Sequence, residues 1–122
     1  MEDTKYSIIC PACGKKMTKV RIKELDNMLV DICLDGCGGC YFDNQELKKI
    51  TKSEEVLNKI IKLLESKNFP ERDSTEILIC PTCGAPMVKM GKKIGLIIDA
   101  CHVCGGEYLD FNELKKYKNL NL

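Results

Sequence analysis

A chain of 122 residues has room for one ordinary domain or two very small ones. Its formal charge of +1 excludes attraction to nucleic acid through net charge alone, and the absence of tryptophan with only three phenylalanines excludes a core built chiefly from large aromatics. Thin cores need a staple, and nine cysteines offer either disulfides or metal.

The opening Met-Glu-Asp-Thr-Lys lacks the apolar stretch of a secretory leader, and nothing later approaches the length of a membrane span. The expectation is a cytoplasmic protein, not associated with a membrane, whose thiols stay reduced, and this favours metal over disulfides. Cys10-Pro-Ala-Cys13-Gly14 comes next, flanked by strand candidates at 8–9 and 17–22 that are expected to pair; residues 29–32 lead into a second cysteine group. That group holds Cys33, Cys37 and Cys40, so the first half has more candidate ligands than one tetrahedral ion needs. The register of Asp31-x-Cys33 and of Cys37-Gly38-Gly39-x-Tyr41 selects Cys10, Cys13, Cys33 and Cys37, with Cys40 spare; a CxxC of Cys37 and Cys40 is the alternative. Asp43 and Glu46 have the N-cap and N3 spacing of a capping box, which predicts a helix start and a structural role for both acids.

Residues 53–67 carry the one long helical pattern. Ser53 can cap, Glu54 and Glu55 suit the positive end of the dipole, and Val56, Leu57, Ile60, Ile61, Leu63 and Leu64 form one wide apolar face. That face must be buried, either over the ribbons or as a seam between two copies of the chain. Residues 67–76, with Asn68, Pro70 and Ser74 among charges, read as a linker.

The second half repeats the first. Strand candidates at 77–79 and 87–90 flank Cys80-Pro-Thr-Cys83-Gly84, Gly91 and Gly95 punctuate a turn, and 96–98 lead into Asp99-Ala-Cys101-His-Val-Cys104-Gly-Gly. Two CxxC pairs at this separation suit a four-cysteine zinc site, because each pair bends back as a knuckle and offers two thiolates to one ion. Gly14 and Gly84 suit a positive φ that turns backbone N–H groups toward sulfur. Tyr108-Leu-Asp110-x-x-Glu113-Leu114 then predicts a helix start matching the one at Asp43. His102, between two ligands of a filled site, has no nucleophile at matching spacing. Each filled four-thiolate site adds about two negative charges, so the loaded chain is mildly acidic. Lys15, Lys16, Lys92 and Lys93 then offer only local phosphate contacts and read as a solvated face.

The motifs C-P-x-C-G, D-x-C-x-x-C-G-G and Y-L-D-x-x-E-L resemble the transcription factor IIB type zinc-finger domain, a small zinc ribbon, over residues 8–50 and 77–118. The resemblance implies zinc ligands at Cys10, Cys13, Cys33 and Cys37 and at Cys80, Cys83, Cys101 and Cys104. The chain departs from that pattern in having Tyr41 and Tyr108 where the family usually has tryptophan, and in one extra residue between Cys33 and Cys37.

Together these features predict a small, metal-stabilised α+β protein. Two zinc ribbons, each of β-hairpin knuckles followed by a short helix, occupy 1–50 and 77–122, and an amphipathic helix with a linker at 51–76 joins them. Two structural zinc ions are expected, with iron as the alternative metal. A closed four-cysteine site leaves no open position for substrate, so the expected role is a non-catalytic interaction module. A protein partner is favoured over nucleic acid because exposed basic and aromatic residues are few. The competing readings are rubredoxin-like electron transfer on a single iron and thiol redox sensing at a CxxC pair or at Cys40.

Overall fold

The computed structural model describes residues 8–43, 46–65, 67, 69, 75–93 and 95–120, without the side chains of residues 92, 93 and 120. The first half contributes strands β1 (Thr18–Ile22), β2 (Met28–Ile32) and β3 (Cys40–Phe42) and helices α1 (Glu46–Thr51) and α2 (Glu54–Glu65). The second contributes β4 (Val88–Lys93), β5 (Leu96–Ala100), β6 (Glu107–Leu109) and helix α3 (Phe111–Leu120). Most of the linker at 67–76 lies outside the described residues.

All six strands form one antiparallel sheet in the order β1-β2-β3-β6-β5-β4. Each half is a three-stranded meander, and the halves meet through β3 and β6, with Cys40 opposite Leu109, Tyr41 opposite Tyr108 and Phe42 opposite Glu107. Sequence reasoning does not find this central seam, because its strands are only three residues long. The first hairpin also differs from expectation. Ile9 and Lys16 make a lone bridge, as do Ile79 and Pro86, while the extended ladders run between β1 and β2 and between β4 and β5.

Strand alternation sorts the side chains onto two faces. Val30, Ile32, Cys40, Phe42, Leu96, Ile98 and Leu109 face the helices, where they pack with Leu47, Ile50, Leu114 and Tyr117. Tyr41 and Tyr108 point the other way, into a second cluster with Met17, Met87 and the knuckle cysteines Cys10, Cys33, Cys80 and Cys101.

Helix α2 begins where Ser53 Oγ accepts the Val56 N–H at 3.3 Å. Its Val56, Leu57, Ile60, Ile61 and Leu64 are buried in the helix-side core, and burying five such side chains contributes on the order of 10 kcal/mol before entropy is charged against it. These five side chains of the expected apolar face are thus buried within the same chain, whereas Leu63, expected on that face, is exposed. Helix α3 starts on a reciprocal cap: the Glu113 N–H donates to Asp110 Oδ1 at 2.8 Å, and the Asp110 N–H donates to Glu113 Oε1 at 3.0 Å. At α1 the Asp43 N–H donates to Glu46 Oε1 at 2.8 Å. Among the described residues, no helix is long and apolar enough to cross a membrane.

Candidate metal centres

Each knuckle is closed by local backbone bonds. The Gly14 N–H donates to the Cys10 carbonyl and the Gly84 N–H to the Cys80 carbonyl, both at 2.9 Å, and both glycines have the expected positive φ. In the second knuckles the Cys33 N–H reaches the Gly39 carbonyl and the Cys101 N–H the Gly106 carbonyl, each at 2.8 Å. The first half closes the same loop with one more residue. Gly36 makes this possible, because a Cβ there would lie 2.6 Å from Cys33 Sγ and 2.7 Å from Cys13 Sγ.

The result is two clusters, Cys10, Cys13, Cys33 and Cys37 in one and Cys80, Cys83, Cys101 and Cys104 in the other, each with its four sulfurs within 4.8 Å of one another. Equivalent sulfurs pair in both: Cys10 with Cys37 at 3.6 Å and Cys13 with Cys33 at 3.5 Å, Cys80 with Cys104 at 3.5 Å and Cys83 with Cys101 at 3.4 Å. All nine cysteines are free thiols. A tetrahedron with metal–sulfur bonds of about 2.3 Å has edges of about 3.8 Å, so the donor set fits a thiophilic ion.

Cys40 is not part of either cluster. One step along β3 from Tyr41, it lies fully buried on the helix side of the sheet, while Cys33 and Cys37 are the sulfurs gathered with Cys10 and Cys13. Burial pushes its thiol well above the ordinary range, and a buried neutral thiol is a poor nucleophile. His102 is exposed, as are Lys15 and Lys16; the side chains of Lys92 and Lys93 lie outside the described residues.

Hydrogen bonding holds some sulfurs in the thiolate form. The bond with Cys10 drives Cys37 down to about 5 despite burial, with help from the Tyr108 hydroxyl and the Gly39 N–H, while the same bond and burial push Cys10 up. Burial raises Cys80, but the hydroxyls of Thr82 and Tyr41 and the N–H groups of Cys83 and Thr82 outweigh it and bring the thiol to about 6. Burial pushes Cys33 up to about 11. Each cluster thus presents negative charge to a cation at neutral pH.

The tyrosines are the feature that sequence reasoning missed. Tyr108 Oη lies 3.1 Å from Cys37 Sγ and 3.6 Å from Cys10 Sγ, in the first cluster. Tyr41 Oη lies 3.4 Å from Cys80 Sγ, 3.7 Å from Cys104 Sγ and 3.0 Å from Thr82 Oγ1, in the second. Burial pushes both phenols far above their ordinary range, so both remain protonated donors. The available signal was the tyrosine following Cys-Gly-Gly-x in both halves.

A family model described as transcription factor zinc-finger matches residues 9–53 and 79–120. Neither the curated proteins nor the solved structures give a match. The two matched segments take in both sulfur clusters and most of the chain: it belongs to the transcription factor zinc-finger family.

Proposed function

We propose that the chain is a non-catalytic module in which two structural zinc ions rigidify a surface that docks a protein. One ion is held by Cys10, Cys13, Cys33 and Cys37, the other by Cys80, Cys83, Cys101 and Cys104. The observation that carries this reading is the recurrence of one four-sulfur geometry, with the same pairing of sulfurs, in both halves. Four thiolates fill the coordination of a tetrahedral ion and leave no position for water or substrate. Zinc supplies charge and four directional bonds there, while the chain's own groups orient the sulfurs and spread their charge. Backbone N–H groups of Ala12 and Cys13 point at Cys10, and those of Thr82 and Cys83 at Cys80.

A protein partner is favoured by what the surface lacks and what it shows. Tyr41 and Tyr108 are buried, so neither offers a ring for bases to stack on. Ile77, Ile79, Val88, Ile97 and Val103 of the second half are exposed, as are Ile9 and Leu63 of the first.

Elemental analysis of the purified protein is expected to give two zinc per chain; a red protein carrying iron would replace this reading with electron transfer. Zinc binding of this kind contributes on the order of 10 kcal/mol, comparable to a whole domain's margin of about 5–15 kcal/mol. Chelation is therefore expected to abolish cooperative melting, and a chelated chain that melts unchanged would refute the structural role. Salt-dependent binding to oligonucleotides would exchange the protein partner for nucleic acid.

A further inference from the structure

Resting on the metal sites proposed above, the geometry points to Tyr41 and Tyr108 as crossed positioning residues: each hydroxyl donates to the thiolates of the opposite half, so each site's metal affinity is set in part by the other repeat. By sequence Tyr41 belongs with Cys37, yet its oxygen lies among Cys80, Cys104 and Thr82; Tyr108 belongs with Cys104, yet its oxygen lies between Cys10 and Cys37. The crossing follows from the seam. The two residues are direct partners in the β3–β6 ladder and point to the same face, so each ring passes its partner and ends over the far knuckle.

The fit is interlocked from both sides. A Cβ at Gly39 would collide with the Tyr108 hydroxyl, and a Cβ at Gly106 with the Tyr41 hydroxyl. The second glycine of each Cys-Gly-Gly therefore makes room for the other repeat's tyrosine, and the knuckle bond to its carbonyl, Cys33 to Gly39 or Cys101 to Gly106, fixes the floor on which that hydroxyl rests. Both tyrosines are fully buried, so water cannot replace a lost donor without opening the seam. Removing an outer hydrogen-bond partner of metal ligands typically costs about 10–100-fold in affinity.

The test uses the full zinc-loaded chain with Tyr41→Phe and Tyr108→Phe, each of which keeps the ring and removes one oxygen. Samples are titrated with a zinc chelator, the released thiols are alkylated, and each cysteine peptide is quantified by mass spectrometry. Tyr41→Phe is expected to release Cys80, Cys83, Cys101 and Cys104 at about 10–100-fold lower chelator strength while the first site stays near wild type, and Tyr108→Phe the reverse. A loss in the variant's own half, an equal loss in both, no loss, or failure to fold at saturating zinc overturns the crossed role. Wild type that carries no metal overturns instead the metal reading on which it rests, so the two failures are told apart by the control.

Discussion

Lys19 and Asp31 stand directly opposite each other in the β1–β2 ladder, with Lys19 Nζ 2.8 Å from Asp31 Oδ1. The arrangement recurs at 2.6 Å between Lys89 and Asp99 in the β4–β5 ladder. Each aspartate precedes a knuckle cysteine by two residues, Cys33 or Cys101, so the pair ties the sheet to the strand that enters the metal site.

The pair is asymmetric: the Asp31 side chain is 6% exposed and that of Lys19 28%. Burial raises the Asp31 carboxyl and the Lys19 ammonium opposes it. Lys19→Met strands the carboxylate and is expected to cost about 2–4 kcal/mol in denaturant unfolding of the zinc-loaded chain. Asp31→Asn leaves a lysine that can turn to water and should cost less. The reverse order would show that the lysine carries the burden.

Cys40 offers a check on the two-faced sheet. In the native zinc-loaded chain it is expected to resist alkylation, because it is fully buried and its thiol is held neutral. Cys40→Ser places a hydroxyl in the helix-side core and should cost about 1–3 kcal/mol, with two zinc retained. Loss of one zinc would return Cys40 to the first ligand set.

Glu46 supplies a pH dependence. Burial holds its carboxyl up to about 7 from an ordinary 4.5, against the opposing bond from the Asp43 N–H. The folded state therefore disfavours the ionised form: the penalty is absent below about pH 4.5, grows as pH rises, and is fully present above about pH 7. Glu46→Gln is expected to be more stable than wild type by about 1–2 kcal/mol at pH 8, allowing for partial solvent access. The gain should shrink as pH is lowered through 7. Paired melting curves at several pH values measure it, and a gain independent of pH would contradict the assignment.

Gly36 bears on the extra residue in the first knuckle. A methyl group there meets the sulfurs of Cys33 and Cys13, so Gly36→Ala is expected to lower zinc content from two toward one per chain with the second site intact. Site-resolved alkylation reads this directly: Cys10, Cys13, Cys33 and Cys37 should react and the other four should not.

The amino-acid sequence alone determines whatever depends on short spacing. Cys80 and Cys83 form a knuckle because the two residues between them can turn back in only a few ways. Asp110 and Glu113 start a helix because their spacing matches one turn. Val56, Leu57, Ile60, Ile61 and Leu64 share one buried face because their period is helical.

The tertiary structure decided what lies between the repeats. Cys40 and Tyr41 are neighbours in sequence, yet the pleat sends one under the helices and the other among sulfurs, and only the register of β3 against β6 determines which goes where. Tyr108 reaches Cys10 across 98 positions and Tyr41 reaches Cys80 across 39. Contacts that distant leave no periodicity in a single sequence, because they join segments far apart in the chain; the four-sulfur clusters are thus a property of each half alone, and the hydroxyls beside them a property of the pair.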